Sequence, residues 1–246
     1  GNAGGRIVLD HPEFIARKIT MYQAKPGEVK EDGLWCFPAK GKLLLCGLFC
    51  EKTGELISDK SASVGMLRRT WKVLKDWDSK WYYPATPLYV SDRAMAHGLE
   101  YAASIGAIPE GQILAAFTVE KIETTIDSTW GDFVDPLNPA ATEKFIEYTY
   151  EKYKQSLGEL LGKQISSIFT DEPKYYGRTP WTTDLLEDFQ KTYGYDLTGR
   201  IYDLFNNLEN PRSIATRLNY REWCGKRFEG AWMIPVSTWC RKHNLR

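Results

Sequence analysis

Histidine is scarce: His11, His97 and His243 are the only three in 246 residues, and the five cysteines form no CxxC pair. A zinc-ligand pattern is therefore missing. Asp127, Asp132 and Asp135 cluster, but they lack the D-x-D-x-D-G spacing of a calcium loop and read as solvated turn residues or the wall of a cleft. No metal or cofactor is expected. Neither charge sign is in excess, with 32 Lys+Arg against 32 Asp+Glu, so nothing points to nucleic acid or an acidic membrane surface as partner. The longest apolar runs, such as "LLLCGLFC", are too short to cross a bilayer, and no signal peptide opens the chain. Gly4 and Gly5 follow no strand and make no phosphate loop. Cys36, Cys224 and Cys240 read as small buried residues, which favours a reducing compartment and hence the cytoplasm.

Aromatic residues, by contrast, are abundant, with nine Trp and fourteen Tyr. Most belong in a core, but flat amphipathic rings also stack on sugar faces, so a carbohydrate ligand gains weight. The second half is strongly patterned. Asn138-Pro139 is a helix start, and Ile146, Tyr150, Tyr153, Leu157 and Leu160 continue it as one apolar stripe that Gly162 ends. "QISSIFTD" follows as a short strand. A helix from Thr182 or Thr183 carries Leu185, Leu186, Phe189 and Tyr193 to Gly194. A short helix is expected over Ile201 to Leu208, and Asn210-Pro211 opens a long one with a kink at Pro235.

The first half reads less regularly. "DHPEFIARKITMY" reads as a helix from Pro12, "KGKLLLCGLFCEKTGEL" as a hairpin, "SDRAMAHGLEYAASIG" as a helix, and "QILAAFTV" as a buried strand. The expected architecture is α/β: a partial (β/α)8 barrel in which residues 1–27 begin the barrel, 28–90 form a β-rich insertion and 91–246 supply further barrel units. Exposed sheet edges of such a partial barrel would favour self-association.

The stretch "ISSIFTDEPKYYGRTPW" concentrates the candidate chemistry. Asp171 and Glu172 stand at the carboxyl end of the expected strand, where α/β folds collect their active sites. Neighbouring side chains on a strand point to opposite faces, so one acid faces the site and the other braces it. A carboxyl beside Tyr175, Tyr176 and Trp181 loses solvation, which raises its pKa and suits a general acid. Trp181 and Trp130 are candidate sugar-stacking platforms or loop anchors. Arg178 is a candidate partner for Asp171 or a substrate hydroxyl, or else a solvent-facing loop residue.

The segment "DPLNPAATEKFIEYTYEKYKQSLGELLGKQISSIFTDEP…TPWTTDLLEDFQKTYGYDL" resembles the catalytic region of bacterial glycoside hydrolases of the α-L-rhamnosidase-like kind. The resemblance runs from Asp135 to Arg246, and "GNAGGRIVLDHP" resembles a stretch upstream in the same proteins. "IFTDEP" is also similar to the strand-end "NEP" of barrel glycosidases, which implies Glu172 as acid/base; Asp171 stands where those enzymes carry Asn. Glycoside hydrolysis takes two carboxylates. The acids after Glu172 fall on expected helices, so the second is expected past residue 246, in a longer parent, with this chain inactive alone. Two other readings stay open. One is a non-catalytic carbohydrate-binding or structural module. The other is a metal-dependent hydrolase using Asp171 and Glu172, which lacks any nearby histidine.

Overall fold

The computed structural model describes residues 3–29, 33–72, 95–122, 132–170 and 173–246. Two antiparallel sheets occupy the first half. The larger is built from β1 (Arg17–Ala24), β3 (Gly41–Cys50), β4 (Leu56–Asp59), β7 (Gln112–Lys121) and the two-residue β8 (Pro180–Trp181), in the order β4-β3-β7-β1-β8. The smaller has β2 (Leu34–Pro38), β5 (Val64–Lys72) and β6 (Met95–Ser104) in the order β2-β6-β5. Helices α2 (Pro139–Tyr148), α3 (Tyr150–Leu157), α4 (Leu185–Tyr193), α5 (Pro211–Phe228) and α6 (Ile234–Lys242) make up most of the second half, and α1 (Ala3–Asp10) packs against α2.

The expected partial (β/α)8 barrel is thereby overturned. Every pairing within the two sheets is antiparallel, and among the described residues no closed barrel forms. The cause lies in β7. Its Leu114 and Ala116 face the smaller sheet, joining Trp35, Phe37, Cys46 and Ala103 in one core. Its Ile113, Ala115 and Phe117 face the helices, joining Leu185, Phe189, Ile201 and Trp223 in another. A strand covered on both faces is apolar throughout, and this is the pattern that ordinarily marks a parallel sheet. Strand β3 adjusts to the same double cover: its register against β7 shifts between Leu43 and Leu45. The bulge resets the alternation, so that Leu43 and Cys46 both reach the sheet–sheet core.

Other local expectations separate cleanly. The hairpin at Lys52-Thr53-Gly54 forms, with Gly54 at φ +73°. Asn138 and Asn210 cap α2 and α5, accepting from the Ala140 and Ser213 amides at 3.0 and 2.9 Å. The helix expected from Pro12 is instead one 3₁₀ turn, Pro12–Phe14, running into β1. The helix expected over "SDRAMAHGLEYAASIG" is strand β6 from Met95, with His97 opposite Thr70; Ser91 and Asp92 lie outside the described residues. The long stripe after Asn138 breaks at Thr149 into α2 and α3. Thr149 sends its hydroxyl back to the Phe145 carbonyl, a side-chain bond that competes with the helical ladder. Thr198–Leu204 is 3₁₀ rather than α-helix. Pro235 has no amide to offer the Ala231 carbonyl one turn back, and a π-helical turn, Glu229–Met233, precedes α6 there.

Candidate active site

The expected strand "ISSIF" adopts no ladder among the described residues beyond a parallel bridge between Leu161 and Ile165. Its backbone is met instead by the far end of the chain. The Arg246 amide donates to Ser166 O at 2.9 Å, and the Ile168 amide donates to Arg246 O at 3.4 Å. Phe169 is 86% exposed. Asp171 and Glu172, the two expected acids, lie outside the described residues, as does Trp130. The positions on either side of the acid pair are described.

On the C-terminal side the loop is firmly held. Tyr176 stacks on Phe133 with ring centroids 3.9 Å apart and planes 14° from parallel, while Tyr175 meets Phe228 edge-on at 5.7 Å. Burial pushes both phenols above their ordinary range. Thr179 then clamps β1 from both sides: its carbonyl accepts from the Ile19 amide and its hydroxyl donates to Ile19 O, each at 2.8 Å. β8 follows, with Pro180 opposite Lys18 and Trp181 opposite Arg17, and the Tyr220 hydroxyl donates to Pro180 O. Trp181 and Tyr175 are half-buried and packed against the helix–sheet core. Their packing holds this loop against that core. Arg178 is exposed.

Asp135 sits on the other side of β1. The bridge between Ile15 and Val134 sets the chain against β1, and the Asp135 amide donates to Phe14 O at 2.8 Å. Its side chain is turned inward, where Oδ1 accepts from the Leu137 amide at 2.9 Å. The residue is only 6% exposed. Burial raises its carboxyl to about 6, against the lowering influence of the Thr182 hydroxyl, the Leu137 amide, and the Arg227 and Arg17 guanidinium groups. Asp132 forms an ion pair with Lys121 at 2.6 Å, so it ties the end of β7 to the entry of this segment.

The residues that sequence reasoning missed are those converging from the helices. Arg227 donates from Nε to Leu137 O at 2.8 Å, 90 positions away, and from Nη2 to both Asp184 oxygens at 2.9 and 2.7 Å. The Trp223 indole donates to Asp188 Oδ2 at 2.8 Å. The Arg227 contacts cross from α5 to residues far upstream, and no local spacing announces them. Among the described residues no group of three His, Cys, Asp or Glu side chains could hold a metal ion, and no helix is long and apolar enough to cross a membrane.

Residues 121–226 match a family model described as alpha-L-rhamnosidase. No curated protein and no solved structure matches the chain. The family match supports a glycoside-hydrolase-like domain over that stretch, and it brackets Asp135, the acid pair and the anchored aromatic loop.

Proposed function

We propose that the protein acts in the hydrolysis of O-glycosidic bonds, with an α-L-rhamnoside as the class of substrate and Glu172 as the general acid/base. The observation that carries this reading is the family match over residues 121–226, which has the Asp171-Glu172 pair inside it. A general acid must be held at a fixed place relative to the leaving oxygen. What supports this role is the anchorage of the loop that follows the pair, where Tyr176 stacks on Phe133 and Thr179 bonds to Ile19 of β1. Asp171, one residue earlier, has the role of bracing Glu172 through hydrogen bonding. Asp135 is assigned to support: its inward side chain already serves the Leu137 amide, in the turn that leads into α2.

The test is turnover of aryl α-L-rhamnosides by the full gene product and by its Glu172→Gln variant. Loss of a general acid is expected to lower kcat by about 10²–10⁴-fold with little change in KM. An unchanged kcat in the variant removes Glu172 from the mechanism. If aryl glycosides bind but none is turned over, a carbohydrate-binding module is the better reading.

A further inference from the structure

Helix α5 turns Ser213, Thr216, Tyr220, Trp223 and Cys224 inward. Its opposite face carries Ile214, Leu218, Gly225 and Glu229, whose spacing aligns them as one exposed stripe at about 3.6 residues per turn. About five turns after Ile214, an unbroken α-helix would bring Trp232 onto this stripe. The π-helical turn Glu229–Met233 inserts an extra residue, so Met233 takes that place instead. The exposures agree. Trp232 is half-buried and meets Phe145, whereas Met233 and Ile234 are 47% and 52% exposed. Ile214 and Leu218 are 40% and 58% exposed, so the ridge has one apolar end before Gly225 and another after it.

Between the apolar ends stand four exposed charges, Arg221, Glu222, Lys226 and Glu229, which read plus, minus, plus, minus along the chain. Reversed, the order becomes minus, plus, minus, plus. Two copies laid antiparallel about Gly225 therefore set Arg221 against the partner's Glu229, and Glu222 against the partner's Lys226. A two-fold axis makes each of these contacts twice. A parallel arrangement would instead set like charges together. Glu222 and Lys226 already pair within the helix at 2.6 Å, while Arg221 and Glu229 have no ion pair among the described residues. The apolar ends obey the same symmetry: Leu218 lies seven residues before Gly225 and Met233 eight after it, the difference being the π-turn residue. At the crossing point Gly225 is bare, since a Cβ built there would meet nothing within 4 Å, and two backbones can approach closely.

We propose that the outer face of α5, with its π-helical extension, is a self-association surface occupied by the same face of a second copy of this chain, antiparallel to it. A single helix pair buries less than about 1,200 Å², the range of transient interfaces, so the dimer is weak. It engages no sheet edge and does not depend on Glu172 or on turnover. The experiment is sedimentation velocity on the full chain, from low-micromolar to near-millimolar concentration. The weight-average sedimentation coefficient is expected to rise with concentration, and to rise less at high salt. Leu218→Gln is expected to weaken association about tenfold or more through lost apolar burial. Arg221→Glu sets acid against acid at two symmetric places and is expected to weaken it at least as much. Adding Glu229→Arg to that variant exchanges the charges, and association is expected to return to the wild-type level. Because these side chains are exposed, the thermal unfolding transition of each variant is expected to stay unchanged. A monomer at every concentration overturns the proposal. So does a dimer indifferent to Arg221→Glu, or a double variant that fails to recover association.

Discussion

Tyr176 lies flat against Phe133, 3.9 Å between ring centroids, and so fastens the loop after the Asp171-Glu172 pair to the segment that leads into α2. The contact joins the two sides of the candidate active site across β1. Phe133→Ala removes the stack and part of a buried surface, and is expected to cost about 1–2 kcal/mol of stability. Its larger effect is on position. Hydrogen exchange of the amides over 174–178 is expected to accelerate, and kcat for aryl glycosides to fall while Phe133→Tyr retains both. Unaltered exchange in Phe133→Ala would show that the Thr179 clamp holds the loop by itself.

The loop after Pro173 was partly legible in the sequence, because a run of aromatics beside a proline must pack somewhere. What it packs against was not, since Phe133 and Phe228 come from opposite ends of the second half. The same division runs through the fold. Asn138 and Asn210 announce their helices because capping is decided within four residues. The direction of β7 is decided by strands far away in the chain, and "QILAAFTV" reads identically in a parallel or a doubly covered antiparallel sheet. The segment "SDRAMAHGLEYAASIG" misleads for a related reason: its alanines favour a helix locally, yet from Met95 it pairs with β2 and β5 on both edges.

Asp135 gives the protein a stability that depends on pH. In the unfolded chain its carboxyl ionises near the ordinary 3.8, and in the fold at about 6. At pH values below both, the two states are protonated alike. As pH rises, the unfolded chain ionises first, so this carboxyl's contribution is full at the acid end and is lost as pH climbs through 6. The span corresponds to about 3 kcal/mol at most. Asp135→Asn can still accept from the Leu137 amide but cannot ionise. Its urea midpoint is expected to match the wild type near pH 4 and exceed it by pH 7.5. Parallel pH profiles for the two proteins would contradict the assignment.

A second buried carboxylate locks the helices to the hairpin. Asp203 Oδ1 accepts from Ser213 Oγ at 2.7 Å and from Arg212 Nη2 at 3.0 Å, while Arg212 also donates to Thr53 O at 3.1 Å. The Asp203 side chain is wholly buried and that of Arg212 three-quarters so. Arg212→Ala leaves the charge without its counter-ion, and a loss of about 3 kcal/mol in urea unfolding is expected, the low end for a broken buried pair. Gly54→Ala strikes the same joint from the other side. The residue holds φ +73°, and an added Cβ would lie 2.7 Å from Asp203 Oδ1 and 2.9 Å from Leu208 Cδ1. A loss of about 2 kcal/mol follows from strain and overpacking together. Because both substitutions act on one joint, the double variant is expected to lose less than their sum.

Among the cysteines, reactivity should follow the thiolate rather than the sequence position. Burial pushes the thiols of Cys46 and Cys224 up to about 12, which leaves almost no nucleophile at neutral pH. Cys50 closes β3 beside the hairpin turn, and hydrogen bonds from Thr53, through its side chain and its backbone, and from the Lys52 backbone draw its thiol below the ordinary range. Iodoacetamide at pH 7.5, followed by peptide mass spectrometry, is expected to label Cys50 well ahead of Cys46 and Cys224, which should react only in urea. Thr53→Val removes the side-chain bond and should slow Cys50 labelling without exposing the other two. Labelling of Cys46 at the Cys50 rate in the native protein would mean that the β3–β7 ladder opens as readily as the turn beside it.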